Sequence, residues 1–450
     1  MTDITTDNGI FSRLKSAISN VGIATWIIAA FWLIVLIIGH NKGISVETLL
    51  TDTVKRAGMN SVLVLAMVPA IQSGTGPNFA LPIGIVCGLL ALLCAIELAF
   101  LGANWFFVAV LFSIAFGAIA GYIYGKLLNA VKGSEMTIAT YTGFSIVAFM
   151  CLVWLMAPFS HPQVGWFIGN GLRETIQLDS IGGAQILNNY MAFNIGGEVL
   201  IPTVDVEGET MVPSEIQYID TARVEGKEFS IIRKVETNVN IKTVTIPSVR
   251  SGGITPSFKI GDLTIPACIG GKGIRIVERG EVTKPIIKGG ILIPTGLLLF
   301  FALLAFLVWL FFRSKAGIAI SAGGINPKFA QAAGLNIDRN RILANILSTI
   351  LGAIGIIVYS QSYGYAQLYQ GPLMMAFSAV AAILIGGATA SRAKISHVII
   401  GVIIFQGLLT AALPVTNELF KGTDLSEIAR SVIQNGVILY ALTQVKRGGA

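Results

Sequence analysis

Charge is what this sequence has least of. Only 12% of its 450 residues are Asp, Glu, Lys or Arg, against roughly a quarter in soluble domains, while 54% are hydrophobic and mean hydropathy is +0.75. That scarcity excludes an ordinary water-soluble globule. Cysteine is sparse too: Cys87, Cys94 and Cys151 lie in apolar runs, and Cys268 stands without a second thiol in the polar middle, which excludes an intrachain disulfide there. His40, His161 and His397 are far apart, and no metal-ligand spacing, paired carboxylates or Ser/His/Asp set is present. No catalytic residue, metal or other cofactor is therefore expected. A G-x-x-x-x-G-K-[ST] phosphate loop is also missing, since Gly270-Gly-Lys-Gly273 has the lysine without the spacing or the hydroxyl.

What is abundant is the long apolar run. Crossing ~30 Å of hydrocarbon takes about 20 helical residues. Such runs fall near Ala24–Gly39, Asn60–Ser73, Asn78–Leu98, Trp105–Gly125, Thr137–Pro158, Ile291–Phe312, Ile342–Ser360, Leu373–Gly387, Ile395–Pro414 and Leu425–Thr443. The expected fold class is an all-α polytopic membrane protein of about ten transmembrane helices. Arg13 and Lys15 precede the first run and His40-Asn-Lys-Gly43 follows it without a small-residue cleavage site, which reads as an uncleaved signal anchor with its N-terminus inside. With that start, Lys126, Lys132, Arg313, Lys315, Lys328, Arg339, Arg341, Arg392, Lys394 and the tail Lys446-Arg447 all fall in the cytoplasm, as the positive-inside rule requires. Both termini are then cytoplasmic, and the net charge of +7 reflects loops beside a bilayer rather than nucleic-acid binding. Lys42, Lys55 and Arg56 dissent, and a short amphipathic or re-entrant segment at Val46–Ala57 would account for them.

Between the helical blocks the pattern changes. From about His161 to Lys288 short β-branched runs alternate with Gly and Pro, among them Phe229–Val235, Val239–Ile246 and Gly273–Val277. The reading is a β-rich extracytoplasmic insert at 161–288, between an N-terminal transmembrane block at 1–160 and a C-terminal one at 289–450. The hydropathy of Met59–Pro158 and Arg341–Thr443 is similar, with small-residue breaks at Ser73-Gly-Thr-Gly76 and Gly386-Gly-Ala-Thr389, a weak sign of internal repetition.

Several polar or small residues stand out against this background. Gly117, Gly121 and Gly125 form a double G-x-x-x-G, a packing signal on one helix face. The Ser73–Asn78 break reads either as lining of a translocation pathway, with Gln72, Ser73, Thr75 and Asn78 offering hydrogen bonds, or as an ordinary cytoplasmic turn. Glu97 and Gln406 are the other pathway candidates, weighed against an interfacial and a packing role respectively. Tyr359, Gln361, Tyr363, Tyr365 and Tyr369 crowd one outer loop, which suits interfacial anchoring or solute contact. Between two spans, Asn326-Pro327 opens and Gly334 closes a short helix. Its exposed face is expected to be small and apolar, from Ala330, Ala332 and Ala333, a shape suited to a partner's groove.

The stretch Gly324 to Ile337 resembles the G-x-N-P-x-A-A-x-x-x-G-[IL]-N-[VI] loop of the permease subunits of bacterial ABC importers of the ribose, simple-sugar and nucleoside type, with Phe329 in place of the first Ala. Ile385-Gly-Gly-Ala-Thr389 is similar to a second motif of that family. The resemblance implies a coupling helix with Gly324, Asn326, Pro327, Ala330, Ala333 and Gly334 as its ATPase-coupling residues. It also implies a cytoplasmic ABC ATPase, a second permease copy or paralogue, an extracytoplasmic solute-binding protein, and a bacterial cytoplasmic membrane to hold them. Two features depart from the family: Gly74–Gly84 lacks the acid of its G-G-I-D-L-S-V-G stretch, and the insert is long. The function expected is that of a permease subunit importing a small polar solute, a sugar or nucleoside. The alternatives are an ion-coupled secondary transporter using Glu97, and an envelope sensor or assembly protein acting through the insert.

Overall fold

A computed structural model describes residues 23–157, 171–190, 291–369 and 371–419 continuously, with shorter pieces at 159, 161–162, 164–165, 192–195, 431–432 and 435–439 and strand segments between 198 and 288. By contact density the described chain falls into two units, one of residues 45–55 with 188–297 and one of the remainder.

The larger unit is helical. Its elements are α1 (Ile23–Asn41), α2 (Val46–Leu65, which begins in the other unit), α3 (Met67–Gln72), α4 (Leu81–Glu97), α5 (Gly102–Ala130) and α6 (Glu135–Met156). After the insert come α7 (Thr295–Arg313), α8 (Lys315–Ile325), α9 (Pro327–Ala332), α10 (Ile337–Tyr363), α11 (Gly371–Ile385) and α12 (Ile395–Leu419). Among the described residues six spans are long and apolar enough to cross a membrane: Val46–Gln72, Gly102–Ala130, Glu135–Met156, Thr295–Arg313, Ile337–Tyr363 and Ile395–Leu419. Three shorter apolar helices, at Thr25–Asn41, Leu81–Glu97 and Gly371–Ile385, accompany them. The tenth expected run, Leu425–Thr443, lies largely outside the described residues.

The Val46–Ala57 segment takes the amphipathic of its two expected forms and lies in one helix with the start of the following span. Leu49, Thr53 and Ala57 are buried at a four-residue spacing, so the segment is an amphipathic helical turn continuous with the apolar run after it. The interruption comes at Ala66. Pro69 has no N–H for the carbonyl of Leu65, and the Ser348 hydroxyl donates to the Ala66 carbonyl at 2.7 Å, the kind of side-chain repair that lets a broken helix persist at membrane depth.

Helix α4 is apolar nearly all round, with almost every side chain from Leu81 to Ile96 buried, and α10 is largely buried from Ala344 to Ser362 after a charged first turn. In contrast, α5, α6 and α7 leave Phe107, Leu111, Ile123, Phe149, Leu152 and Leu303 exposed, a surface suited to hydrocarbon. The packing role of the double G-x-x-x-G is visible directly: a Cβ on Gly117, Gly121 or Gly125 would lie 3.0, 2.7 or 2.9 Å from the Cα of Ile350, Ile346 or Ile342. Glycines and isoleucines at matching four-residue intervals thus bring α5 and α10 together antiparallel, backbone against backbone.

At the far end of α10 the chain doubles back. Strand β1 (Thr175–Gln177) pairs antiparallel with a strand at Tyr365–Gln367, Ile176 opposite Ala366. The amides of Leu178 and Gln185 donate to the carbonyls of Gly364 and Gln361 at 2.9 and 2.5 Å. Residues 172–187, which the sequence pattern groups with the insert, are therefore stitched to the helical unit. Tyr359 stacks on Tyr363 at 5.5 Å, and Tyr365 meets Tyr363 edge-on at 4.6 Å. Burial, then the Tyr363 hydrogen bond and charge, push the Tyr365 hydroxyl up to about 12.

In the smaller unit β2 (Glu215–Val224) and β3 (Lys227–Glu236) form an antiparallel pair ten residues long, and β4 (Ile274–Glu278) joins β2 to β5 (Glu281–Thr283). Phe229–Val235 lies in β3 and Ile274–Val277 in β4, while Val239–Ile246 lies outside the described residues.

Candidate functional site

One end of the helical unit gathers the loops that carry the basic residues, and α9 lies there. Its start follows from two residues. The Asn326 side chain accepts from the Phe329 amide at 3.1 Å, and Pro327, which needs no donor, occupies the first turn. Such a cap contributes about 1 kcal/mol. Gly334, at φ +81, turns the chain into the left-handed region, so that the Leu335 amide reaches the Ala330 carbonyl at 3.0 Å. Asn336 then caps α10 by accepting from the Arg339 amide at 3.0 Å.

The exposed face of α9 differs from the expectation in one residue. Ala330 is buried, at 1% exposure, because it faces the turn closed by Leu335. Phe329 and Ile325, 69% and 60% exposed, stand outside beside Ala332 and Ala333. The face is thus apolar and larger than small residues alone would make it.

Gly324 sits where two backbones cross. A Cβ there would come within 2.1 Å of the Gln72 carbonyl oxygen, and one on Gly74 within 3.0 Å of the Gly324 Cα. The Gln72 side chain completes the junction: its amide donates to the Ala393 carbonyl at 2.7 Å, and its oxygen accepts from the Ser321 hydroxyl at 2.8 Å. One glutamine therefore ties together α8, the end of α3 and the connection between α11 and α12. Gly386 and Gly401 bring those last two helices equally close, each Cβ position lying 1.8 Å from a carbonyl oxygen of the other element.

The other pathway candidates spend their polar groups inside the protein. The Ser73 and Thr75 hydroxyls lie 3.1 Å apart and both within reach of the Ala70 carbonyl, so their two protons are shared among these three oxygens. Asn78 donates to Ser348 at 2.9 Å and accepts from the Ala80 amide and the Tyr124 hydroxyl. Glu97 accepts from the His161 amide at 3.1 Å. Gln406 is buried on α12 on the same face as Thr410, one turn on, whose hydroxyl has no partner among the described residues.

Between the Ser73–Gly74 turn, the loop at Lys132–Glu135 and the connection from α9 to α10 lies a cavity of about 690 Å³. Two ion pairs lie in its lining. Lys132 meets Asp338 at 2.5 Å in the open, whereas Arg341 meets Glu135 at 2.7 Å with both side chains nearly buried. The family model for the permease component of branched-chain amino acid transport systems matches residues 49–442. The chain belongs to that family. It is a membrane-embedded permease of the ABC-transporter type. No curated protein and no solved structure matches it.

The sequence reading of this permease missed Glu135 and Arg341 as a pair and Phe329 as an exposed residue. Glu135 and Arg341 are 206 positions apart and each looks like an ordinary charge beside a bilayer, so no local signal announces them. Phe329 was detectable as a large apolar residue in an otherwise polar loop opening.

Proposed function

We propose that this chain is the transmembrane subunit of an ATP-driven importer in the bacterial cytoplasmic membrane, with the α9 end in the cytoplasm and the strand-bearing insert outside. Helix α9 docks in a groove of a separate ABC ATPase, and a second permease copy or paralogue and an extracytoplasmic binding protein complete the assembly. The observation that carries this reading is the capped α9 with Phe329 and Ile325 turned outward, seated on the membrane helices through the Gly324–Gly74 crossing. A short helix with an apolar exposed face and a rigid seat is suited to receive a push and pass it on. The cargo is a small neutral polar solute of the sugar or nucleoside class. Among the described residues, and apart from the nearly buried Arg341–Glu135 pair at the α9 end, the buried polar side chains are hydroxyls and amides, which matches hydrogen-bonded neutral cargo better than a zwitterion. Gln406 and Thr410 are its candidate contacts.

Uptake tests the reading. The permease, purified with its ATPase and binding protein into vesicles and offered labelled ribose, galactose, uridine and leucine, is expected to accumulate one of the first three, and not leucine, only with internal ATP. Phe329→Asp, which places charge on the docking face without touching the core, should lower uptake about tenfold or more while membrane insertion is unchanged. Accumulation driven by a proton or sodium gradient without ATP would overturn it.

A further inference from the structure

The way motion of α9 reaches the rest of the permease is not obvious from packing, because the cavity of about 690 Å³ separates the α9–α10 connection from the loop that starts α6. Beside it the Met136 side chain packs on Gly76, and the Asn129 amide donates to the Asp338 carbonyl at 2.8 Å. The links at the opening itself are ion pairs. The Arg341 guanidinium, on the first turns of α10, donates to Glu135 at 2.7 Å and reaches the Gly74 carbonyl at 3.4 Å. Glu135, the first residue of α6, uses its other oxygen to accept from the Gly133 amide at 2.9 Å. One side chain thus joins the start of α10, the start of α6 and the turn on which Gly324 rests. Lys132 and Asp338 make a second link, but at 53% exposure each it is weakly held in water, whereas the Arg341–Glu135 pair, at 13% and 14%, is shielded.

We propose that Arg341 is a positioning residue for coupling: through Glu135 and Gly74 it makes α6 and the 73–78 turn follow displacement of α9. This rests on the importer reading above. The buried pair acts as a strut across an unfilled space, so removing both charges should slacken transmission without opening a packed core.

The test is the ratio of ATP hydrolysed to solute imported, measured on the vesicle-embedded complex with the probe of the four that it takes up. Removing one partner would leave a buried charge and confuse instability with slackness, so the variant is the neutral pair Arg341→Met with Glu135→Leu. The expected result is about tenfold more ATP per solute, with melting in detergent unchanged. The reversed pair, Arg341→Glu with Glu135→Arg, restores the ion pair without the donation to the Gly74 carbonyl, and should recover part of the coupling. A neutral pair that couples like wild type overturns the proposal. So does a neutral pair that merely melts lower in step with its loss of uptake while the reversed pair rescues nothing. If the neutral pair does not assemble, Arg341→Lys decides: retained charge with loss of the Gly74 contact should give an intermediate ratio, and a wild-type ratio overturns the strut. Wild-type vesicles without ATP-dependent uptake of any probe would instead refute the importer reading itself.

Discussion

Gly324→Ala should leave a chain that reaches the membrane but neither couples nor melts like wild type. The added methyl would lie 2.1 Å from the Gln72 carbonyl oxygen and 2.8 Å from the Gly74 nitrogen. Both are backbone atoms, so no rotamer change relieves the contact. Gly74 cannot easily yield, because it holds φ +78 in the left-handed region and its carbonyl is engaged by Arg341. Overpacking of this kind costs about 1–3 kcal/mol, and more where the backbone itself is in the way. Gly323→Ala is the control: its methyl would meet only the flexible end of Ile337 at 3.2 Å. Thermal melting in detergent and ATP-dependent uptake should both drop for Gly324→Ala and stay near wild type for Gly323→Ala. Equal behaviour of the two variants would mean that the backbone crossing is not a seat for α9.

Much of this end of the permease was legible in the sequence because its signals are local. Asn326, Pro327 and Gly334 mark the start and stop of α9 through backbone chemistry that needs no knowledge of the rest of the chain. The apolar runs and the double G-x-x-x-G were likewise readable, and the structure pairs those glycines with Ile342, Ile346 and Ile350. What escaped was whatever depends on distant partners. Gln72 looked like a group waiting for a solute, yet it bridges Ser321 and Ala393, 249 and 321 positions away. Ser73, Thr75 and Asn78 looked equally available until their partners were placed. Ala330 looked like part of an exposed face, but the direction of a residue on a six-residue helix depends on how its ends are anchored. The interruption at Ala66 follows Leu65, whose carbonyl Pro69, lacking an N–H, cannot serve.

A second large effect is expected at the crossing of α11 and α12. Gly401→Ala would place a methyl 1.8 Å from the Ala382 carbonyl oxygen, and Gly386→Ala one 1.8 Å from that of His397. Helices in hydrocarbon associate through close backbone approach rather than a hydrophobic drive, so forcing them apart loses contacts along the crossing. The cost should be near the top of the overpacking range, about 3 kcal/mol for either variant. Because the Ala393 carbonyl beyond this crossing accepts from Gln72, the displacement should also loosen the junction under α9. Expression with a fused reporter and melting in detergent would register the loss. A Gly401→Ala permease that melts like wild type and imports normally would contradict the crossing described here.

The central claim is that α9 is where an ATPase meets this permease, and a photoreactive residue tests it most directly. With benzoylphenylalanine in place of Phe329, illumination of native membranes is expected to yield one dominant adduct to a protein whose peptides contain a phosphate-binding loop. The same probe at Phe107, on the exposed apolar side of α5, should give none. A dominant adduct at position 329 to lipid or to the permease itself, with no nucleotide-binding protein attached, would contradict the account.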